Sequence, residues 1–231
     1  MTRMGLGNHQ ETAMLSIAIC GVKGAGKSTT IGALDAALSS RGIPTRIFAP
    51  FAAGNAAFFA EGGLVPMMRN GDAATAARIS AWLRDACAQE ESDFARANPK
   101  ARSVLLFDRH WITAKRALDG APIPASEAEA IWRRDWMKKI VPPTFFIHTS
   151  PANTLERRKG QLDAISGLET ENLVVEDYRE RLRLRDAWPQ HIVGDHETPL
   201  SATDAIVADI LSFIDISRKT PHTAFGDMRG I

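Results

Sequence analysis

Several features that would settle the class of a chain at once are missing from this one. No apolar run approaches the roughly 18 residues a helix needs to cross a bilayer, which excludes a helical membrane span. Cysteine is scarce: Cys20 and Cys87 are the only two, and neither sits at a metal-type spacing. That rules out a disulfide framework and fits a reducing compartment. Neither sign of charge dominates, with 28 Lys and Arg against 27 Asp and Glu and a net charge of +1. There is thus no global charge to draw in nucleic acid or a membrane surface. His9, His110, His148, His191, His196 and His222 are scattered without metal-ligand spacing. Internal repeats and low-complexity blocks are absent. Residues 1–13 have no apolar region of the signal-peptide kind and read as a loose leader. A cytoplasmic protein is expected.

What is present suits a single α/β domain: 231 residues, 45% hydrophobic and 24% charged. The domain is expected over 14–217, with a polar tail at 218–231. Its most informative stretch is Met14–Ile31. The apolar run Leu15–Cys20 leads into Gly21-Val-Lys-Gly-Ala-Gly-Lys27-Ser28, and helical spacing follows from Thr29 to Leu38. Strand, glycine-rich loop and helix stand in the order of a P-loop, G-x-x-x-x-G-K-S. Gly21, Gly24 and Gly26 free the backbone to turn its N–H groups inward, with Lys23 and Ala25 between them. The helix start adds unpaired donors and the positive end of a dipole. Lys27 would reach the β- and γ-phosphates, Ser28 would ligate Mg²⁺, and Thr29 continues the cradle. A glycine-rich turn without a ligand is the bland alternative. Nucleoside triphosphate binding is the working expectation.

Short apolar strands alternate with helical stretches through the rest of the chain, which predicts a parallel sheet covered on both faces. Ile31, Leu34 and Leu38 mark the buried side of the first helix, which Gly42 and Pro44 end. Strands are expected at Thr45–Ala49, Ser103–Phe107, Thr144–His148 and, weakly, His191–Val193. Ala52–Gly63 fits helix or loop equally. Asp72–Arg96 reads as one long helix burying Ile79, Leu83 and Cys87. Ser126 with Glu129 reads as a capping box opening a helix that stops at Pro142-Pro143, and Ser150-Pro151 as the start of another. Leu162–Leu168 is a polar break. Glu171–Arg185 is helical again, with Val174, Tyr178 and Leu182 four apart. Ser201 with Asp204 caps a last helix striped by Ile206, Val207, Ile210, Leu211 and Ile214.

In an open α/β sheet, ligands bind beyond the carboxyl ends of the strands. Asp108 stands at such an end, straight after an apolar run. A carboxylate there can hold Mg²⁺ or accept the attacking hydroxyl's proton, while Arg109 grips a phosphate. The alternative is an Asp that caps the next helix, with Arg109 paired on the surface.

With these motifs in place the chain resembles thymidylate kinase and its relatives among the P-loop nucleotide and deoxynucleoside kinases. The carriers are the P-loop with Lys27-Ser28-Thr29, the sequence Phe107-Asp108-Arg109-His110 after a strand, and Pro143-Thr-Phe-Phe-Ile-His-Thr-Ser-Pro151 running on to Arg157-Arg158. Lys159–Asp163 is similar to the family's lid loop, placing a lid at about 157–170. The resemblance implies a three-layer fold with a five-stranded parallel sheet, ATP and Mg²⁺ as cofactors, and γ-phosphoryl transfer to a nucleotide, nucleoside or related acceptor. It also implies a homodimer through the long helices. It gives Lys27 the donor phosphates, Ser28 and Asp108 the metal, Arg109 an acceptor phosphate, and Arg157 or Arg158 the closing lid cation. The acceptor side departs from the family pattern. Lys23 replaces the usual acid, the Arg-Glu-Pro signature is replaced by Ala49-Pro50-Phe51, and only Trp82 and Arg84 stand in for the aromatic and arginine of the long helix. Trp82 reads equally as core. His110 and Trp111 line the acceptor pocket or pack beneath the lid. The run Arg179, Arg181, Arg183, Arg185 reads first as a solvated face paired with Glu176, Asp177, Glu180 and Asp186. Two rival functions remain open: a kinase acting on a modified base in DNA, for which the lost sugar-reading acid and that run are the motive, and an NTP-hydrolysing switch or assembly ATPase.

Overall fold

The computed structural model describes residues 14–22, 24–99, 102–137, 141–162, 171–197 and 203–219. Side chains are described for these except at 65–66, 69, 157–162, 171–173 and 218–219. In chain order the elements are β1 (Leu15–Gly21), α1 (Lys27–Ser40), β2 (Thr45–Phe48), α2 (Pro50–Ala57), α3 (Leu64–Asn70) and α4 (Ala73–Ala97). Then follow β3 (Val104–Asp108), α5 (Trp111–Asp119), α6 (Ala125–Trp132), β4 (Thr144–His148), α7 (Pro151–Leu162), α8 (Glu171–Ala187), β5 (Ile192–Glu197) and α9 (Thr203–Lys219). The five strands form one parallel sheet in the order β2-β3-β1-β4-β5.

Burial explains that order. Ile17–Cys20, Val104–Phe107 and Phe145–Ile147 are all buried, and these runs are the three inner strands. A strand covered on both faces needs an unbroken apolar run rather than an alternating one. The edge strands read differently: β5 alternates half-buried and exposed residues along its length, as an edge with one covered face should. Its apolar signal is correspondingly weak, and the strand is six residues long where the sequence predicts three. α1 and α9 pack together, while α4, α5 and α6 pack among themselves and α8 packs on α5, so helices clothe the sheet in two groups.

Helix starts follow local chemistry in two cases and depart from it in one. Asp72 accepts a hydrogen bond from the Thr75 N–H (2.9 Å) and opens α4. The Ser150 hydroxyl accepts from the Asn153 N–H (3.2 Å), ahead of Pro151 in α7. The expected capping box at Ser126 and Glu129 does not form. Pro124 precedes α6, so the helix has already begun at Ala125 and Glu129 lies a turn too deep. Its carboxylate instead accepts from Arg133 (2.8 Å) and pairs with Lys115 (3.4 Å). Beyond Trp132 the chain widens into one π-helical turn, Arg133–Met137, which directs both Asp135 and Trp136 inward. Ala52–Gly63, ambiguous in the sequence, divides between α2 and a 3₁₀ turn at Phe59–Glu61. The polar break at 163–168, the expected cap at Ser201, the leader and the tail from 220 lie outside the described residues.

The core beneath α4, α5 and α6 is aromatic. Trp111, Trp132 and Trp136 are buried, the last two stacked at 5.8 Å between centroids. Trp111 donates through its indole N–H to the Thr144 hydroxyl (2.9 Å), and Trp136 donates to Ser80 (3.1 Å). A buried indole N–H usually finds such a partner, whereas that of Trp132 has none among the described residues. Trp111 is thus a core residue against Thr144, Trp132 and His191, which is neither of its two sequence readings.

Candidate active site

Strand register brings the first parts of the site together. Ile19 of β1 lies opposite Asp108 of β3, and Gly21 lies opposite Ile147 of β4. The glycine-rich loop, Asp108 and the end of β4 therefore share one sheet edge, at the carboxyl ends of three neighbouring strands. The chain runs from β1 to β2 and β3 on one side, then to β4 on the other. This reversal is where open α/β sheets bind ligands.

The loop enters its turn at Gly21, with φ +138°. A Cβ added there would stand 1.8 Å from the Ile147 carbonyl oxygen, which also accepts a hydrogen bond from the Val22 N–H (3.1 Å). The loop is thus stapled to β4, and only a residue without a side chain passes. Gly24 and Gly26 take left-handed φ values of 77° and 87°, and Gly26 passes its carbonyl to the Thr30 N–H (2.9 Å) and so starts α1. Ala25 is buried, while Ser28 and Thr29 are exposed on the first turn of α1. Lys23 lies outside the described residues.

Lys27 is only 7% exposed, and its ammonium donates to the Val22 carbonyl (2.6 Å). Burial, reinforced by the charges of Arg109 and Arg181, lowers its pKa to about 7; Asp108 and Cys20 act in the opposite direction. Beneath the loop, burial pushes the Cys20 thiol up to about 11, against hydrogen bonds from the backbones of His110 and Ile112.

Asp108 closes β3. Its Oδ1 is buried and has no hydrogen-bond donor among the described residues, and Arg109 Nε stands 4.0 Å away. Arg109 is the only non-glycine among the described residues with positive φ, at 70°. Its N–H donates to the Ile19 carbonyl (3.0 Å), so it stays in the β1 ladder while the chain turns into α5. A left-handed conformation costs such a residue about 1–2 kcal/mol. Strain of this kind collects at functional turns.

The residues expected on the acceptor side form a separate group. Trp82 is half-buried and packs edge-on to Phe58 (5.4 Å). The Arg84 guanidinium donates to Asp85 (2.8 Å) and to buried Asp135 (2.9 Å), which Arg134 also grips (2.7 Å). His110 is buried between Phe107 (4.7 Å) and Trp136 (5.3 Å). Arg84, His110, Asp135 and Trp136 line one small cleft of ≈ 30 Å³ beside Pro142. Arg157 and Arg158 lie on α7, with side chains outside the described residues.

Burial lowers His110 to about pKa 3. In the unfolded chain an imidazole protonates near 6.5. The folded state therefore binds fewer protons between these values. The stability carried by neutral His110 is whole above pH 6.5 and drains away as pH falls toward 3, by on the order of 4 kcal/mol in full. His110→Phe keeps an aromatic ring and cannot titrate. Urea denaturation of this variant at pH 4 to 7 is expected to show a flatter loss of stability than the wild type. Parallel curves would remove His110 as the source.

The arginine run makes pairs its sequence reading names, Arg181 with Asp177, Arg183 with Glu180 and Arg185 with Asp186, but not all of it is a solvated face. Arg183 is 58% exposed and pairs with Glu180, as expected of a solvated face. Arg181 is only 13% exposed: its Nε donates to Asp177 (2.8 Å) and its Nη1 to Thr113 of α5 (3.4 Å). Arg185 lies over the Phe146 ring (5.7 Å) and pairs with Asp195 (2.7 Å). The signal for Arg181 was in the spacing, since it stands seven residues after buried Val174 and three before buried Leu184.

No cluster of three His, Cys, Asp or Glu side chains among the described residues is arranged to hold a metal unaided. No helix among them is long and apolar enough to cross a membrane.

A five-stranded parallel sheet between helices, with a glycine-rich loop joining β1 to α1, is the fold of the P-loop kinases. Among solved structures it is similar to shikimate kinase from Acinetobacter baumannii in complex with shikimate, with a TM-score of 0.50, 16% identity, and coverage of 91% of this chain and 97% of that one. At that identity the likeness concerns the fold. No family model matches the sequence, and no curated protein does.

Proposed function

We propose that the protein is an ATP- and Mg²⁺-dependent small-molecule kinase of the thymidylate kinase-like group. The acceptor would be a nucleotide, nucleoside or related compound. The observation that carries this reading is the register of Ile19 with Asp108, which sets an acid–guanidinium pair beside the loop that buries Lys27.

The residues present fit the two cofactors. The opening of the loop is so tight that a Cβ at Gly21 would meet backbone, and the loop's other glycines take the left-handed φ that turns N–H groups toward a phosphate. Asp108 Oδ1 is buried and lacks a donor, and Ser28 is exposed on the first turn of α1; these two are the metal's ligands in this reading. Magnesium, when bound, offsets charge on the β- and γ-phosphates. Lys27 and the loop amides, from Gly21 to Thr29 and including Lys23 and Ala25, hold the donor. The acceptor's hydroxyl oxygen attacks the γ-phosphorus, the bond to the β-bridging oxygen breaks, and ADP leaves. In this reading Asp108 serves the metal or, alternatively, takes the hydroxyl proton, and Arg109 holds the acceptor's own anionic group. Arg157 and Arg158 supply the closing cations. His110 and Arg84 keep a part in shaping the acceptor side only through packing, since their polar groups are buried or engaged, and Trp82 contributes its half-buried ring. Arg181, Arg183 and Arg185 are each paired with a carboxylate, which favours a small-molecule acceptor over a nucleic acid in this reading.

The test is a panel of nucleosides, nucleotides and other hydroxylated metabolites, with ADP release as readout. ADP is expected to form only with the right acceptor, and Asp108→Asn is expected to slow it by about 100-fold. Release without any acceptor, insensitive to the panel and stimulated by protein, would instead favour a switch ATPase.

A further inference from the structure

The donor and acceptor roles leave the π-helical turn Arg133–Met137 unused, although single π turns inside helices are frequent at functional sites. The turn is pinned to α4 at two successive residues. The Asp135 carboxylate, 1% exposed, accepts from Arg84 of α4 (2.9 Å) and from its neighbour Arg134 (2.7 Å). The Trp136 indole N–H donates to the hydroxyl of Ser80, also on α4 (3.1 Å), and its ring stacks on Trp132. So held, Trp136 meets one further group. It stands at 89° to the His110 imidazole with centroids 5.3 Å apart, and that imidazole also meets Phe107 at 4.7 Å. Phe107 belongs to the strand from which His110 has just emerged. The His110 ring is therefore folded back on its own strand, and Trp136 packs against it there.

Between Phe107 and His110 lie only Asp108 and Arg109. Arg109 carries the left-handed φ of 70°, which costs a residue with a Cβ energy that its surroundings must supply. On one side of the turn its N–H donates to the Ile19 carbonyl (3.0 Å). On the other side stands His110, with φ −150° and ψ −131° and no side-chain hydrogen bond capping α5. Its Nδ1 has no hydrogen-bond partner among the described residues, so the ring is held by packing against Phe107 and Trp136.

We propose that Trp136 is a positioning residue for phosphoryl transfer: by clamping His110 against Phe107 it keeps the Asp108–Arg109 turn in its left-handed shape beside the glycine-rich loop. This rests on the kinase reading above. The π turn delivers the indole, and Ser80 orients it. A displacement of about 1 Å in a carboxylate or guanidinium that serves the reacting groups is enough to slow the reaction, so a contact remote from the chemistry is felt in the rate. The flat face does the clamping, so Phe replaces Trp136 and an aliphatic side chain does not.

The experiment follows both the turn and the rate. In the isotope-labelled full chain, the nuclear Overhauser effect between the amide proton and Hα of Arg109 is strong only while φ is positive, because that conformation brings the two protons together. Trp136→Leu is expected to lose this signal, and Trp136→Phe, which keeps a ring over His110, to retain it. With the acceptor that the panel identifies, Trp136→Leu is expected to lower kcat by about 10-fold or more. Its KM for ATP and its calorimetric affinity for Mg²⁺ with ADP are expected to change by less than about 3-fold, and Trp136→Phe to recover most of the rate. A strong Arg109 signal in Trp136→Leu overturns the proposal. So does a fall in kcat matched by an equal loss of nucleotide affinity, which is what general loosening of the core would give. If Trp136→Leu does not fold, Trp136→Met fills more of the indole's volume without its flat face and is read in the same two ways. The kinase reading fails separately, when the wild-type chain neither binds Mg²⁺ with ADP nor turns over any member of the panel. It then takes the kinetic half of this proposal with it, while the Arg109 signal still decides whether Trp136 holds the turn.

Discussion

Lys27→Met is expected to lower acceptor-dependent ADP formation by at least 1,000-fold, about 4 kcal/mol of transition-state stabilisation, while the fold survives. The two effects separate because the ammonium is costly to the free protein. It is buried, its pKa is pushed down to about 7 from an ordinary 10.5, and two arginine charges oppose its proton. The unfolded chain holds that proton up to the ordinary value, whereas the folded chain releases it near 7. Between these limits the unfolded state binds more protons, so wild-type stability rises with pH across the window. Met keeps the length and apolar stem of the side chain and removes the charge. Its melting temperature at pH 7 is expected to equal or exceed that of the wild type, with the slope from pH 7 to 10 lost. Activity and thermal scans on the same preparation decide the matter. A variant that melts lower and still transfers phosphate would place the essential cation elsewhere.

Gly21→Ala is expected to cost about 3 kcal/mol or more, enough to unfold a marginally stable domain. Its φ of +138° is open to glycine alone, and the new methyl would meet the Ile147 carbonyl at 1.8 Å. Both atoms that must part belong to backbone in adjacent strands, so neither can swing aside. Relief would require β4 to separate from β1 where Val22 bonds to Ile147. Gly26→Ala is the control. It also has positive φ, at +87°, but nothing lies within 4 Å of its added Cβ. Conformational strain alone then applies, about 1–2 kcal/mol. Urea denaturation of the two variants should place Gly21→Ala well below Gly26→Ala. Equal midpoints would mean that the loop opens without breaking the β1–β4 pairing.

Much of the fold was legible because its signals are local. Val104–Phe107 and Phe145–Ile147 are apolar runs too short for helices, and α4 announces itself through Asp72 and the stripe Ile79, Leu83, Cys87. The loop from Gly21 to Ser28 was legible for the same reason, since its backbone geometry depends on which residues lack a Cβ. The expected capping box failed because a competing local signal, Pro124, started α6 earlier. The ion pairing of Arg84 was hidden for a different reason. Its partner Asp135 lies 51 residues away, on a π turn that no pattern of spacing announces.

By itself the chain of residues determined that this is a parallel α/β protein with a glycine-rich turn after its first strand, because apolar runs, helical stripes and glycine are properties of neighbours in sequence. Only the tertiary structure decided that β3 lies beside β1, that Asp108 faces the loop's strand at Ile19, and that Arg84 reaches Asp135. Strand order and charge pairing are settled by which distant surfaces bury one another. That competition among contacts remote in sequence leaves no mark on any short stretch of it.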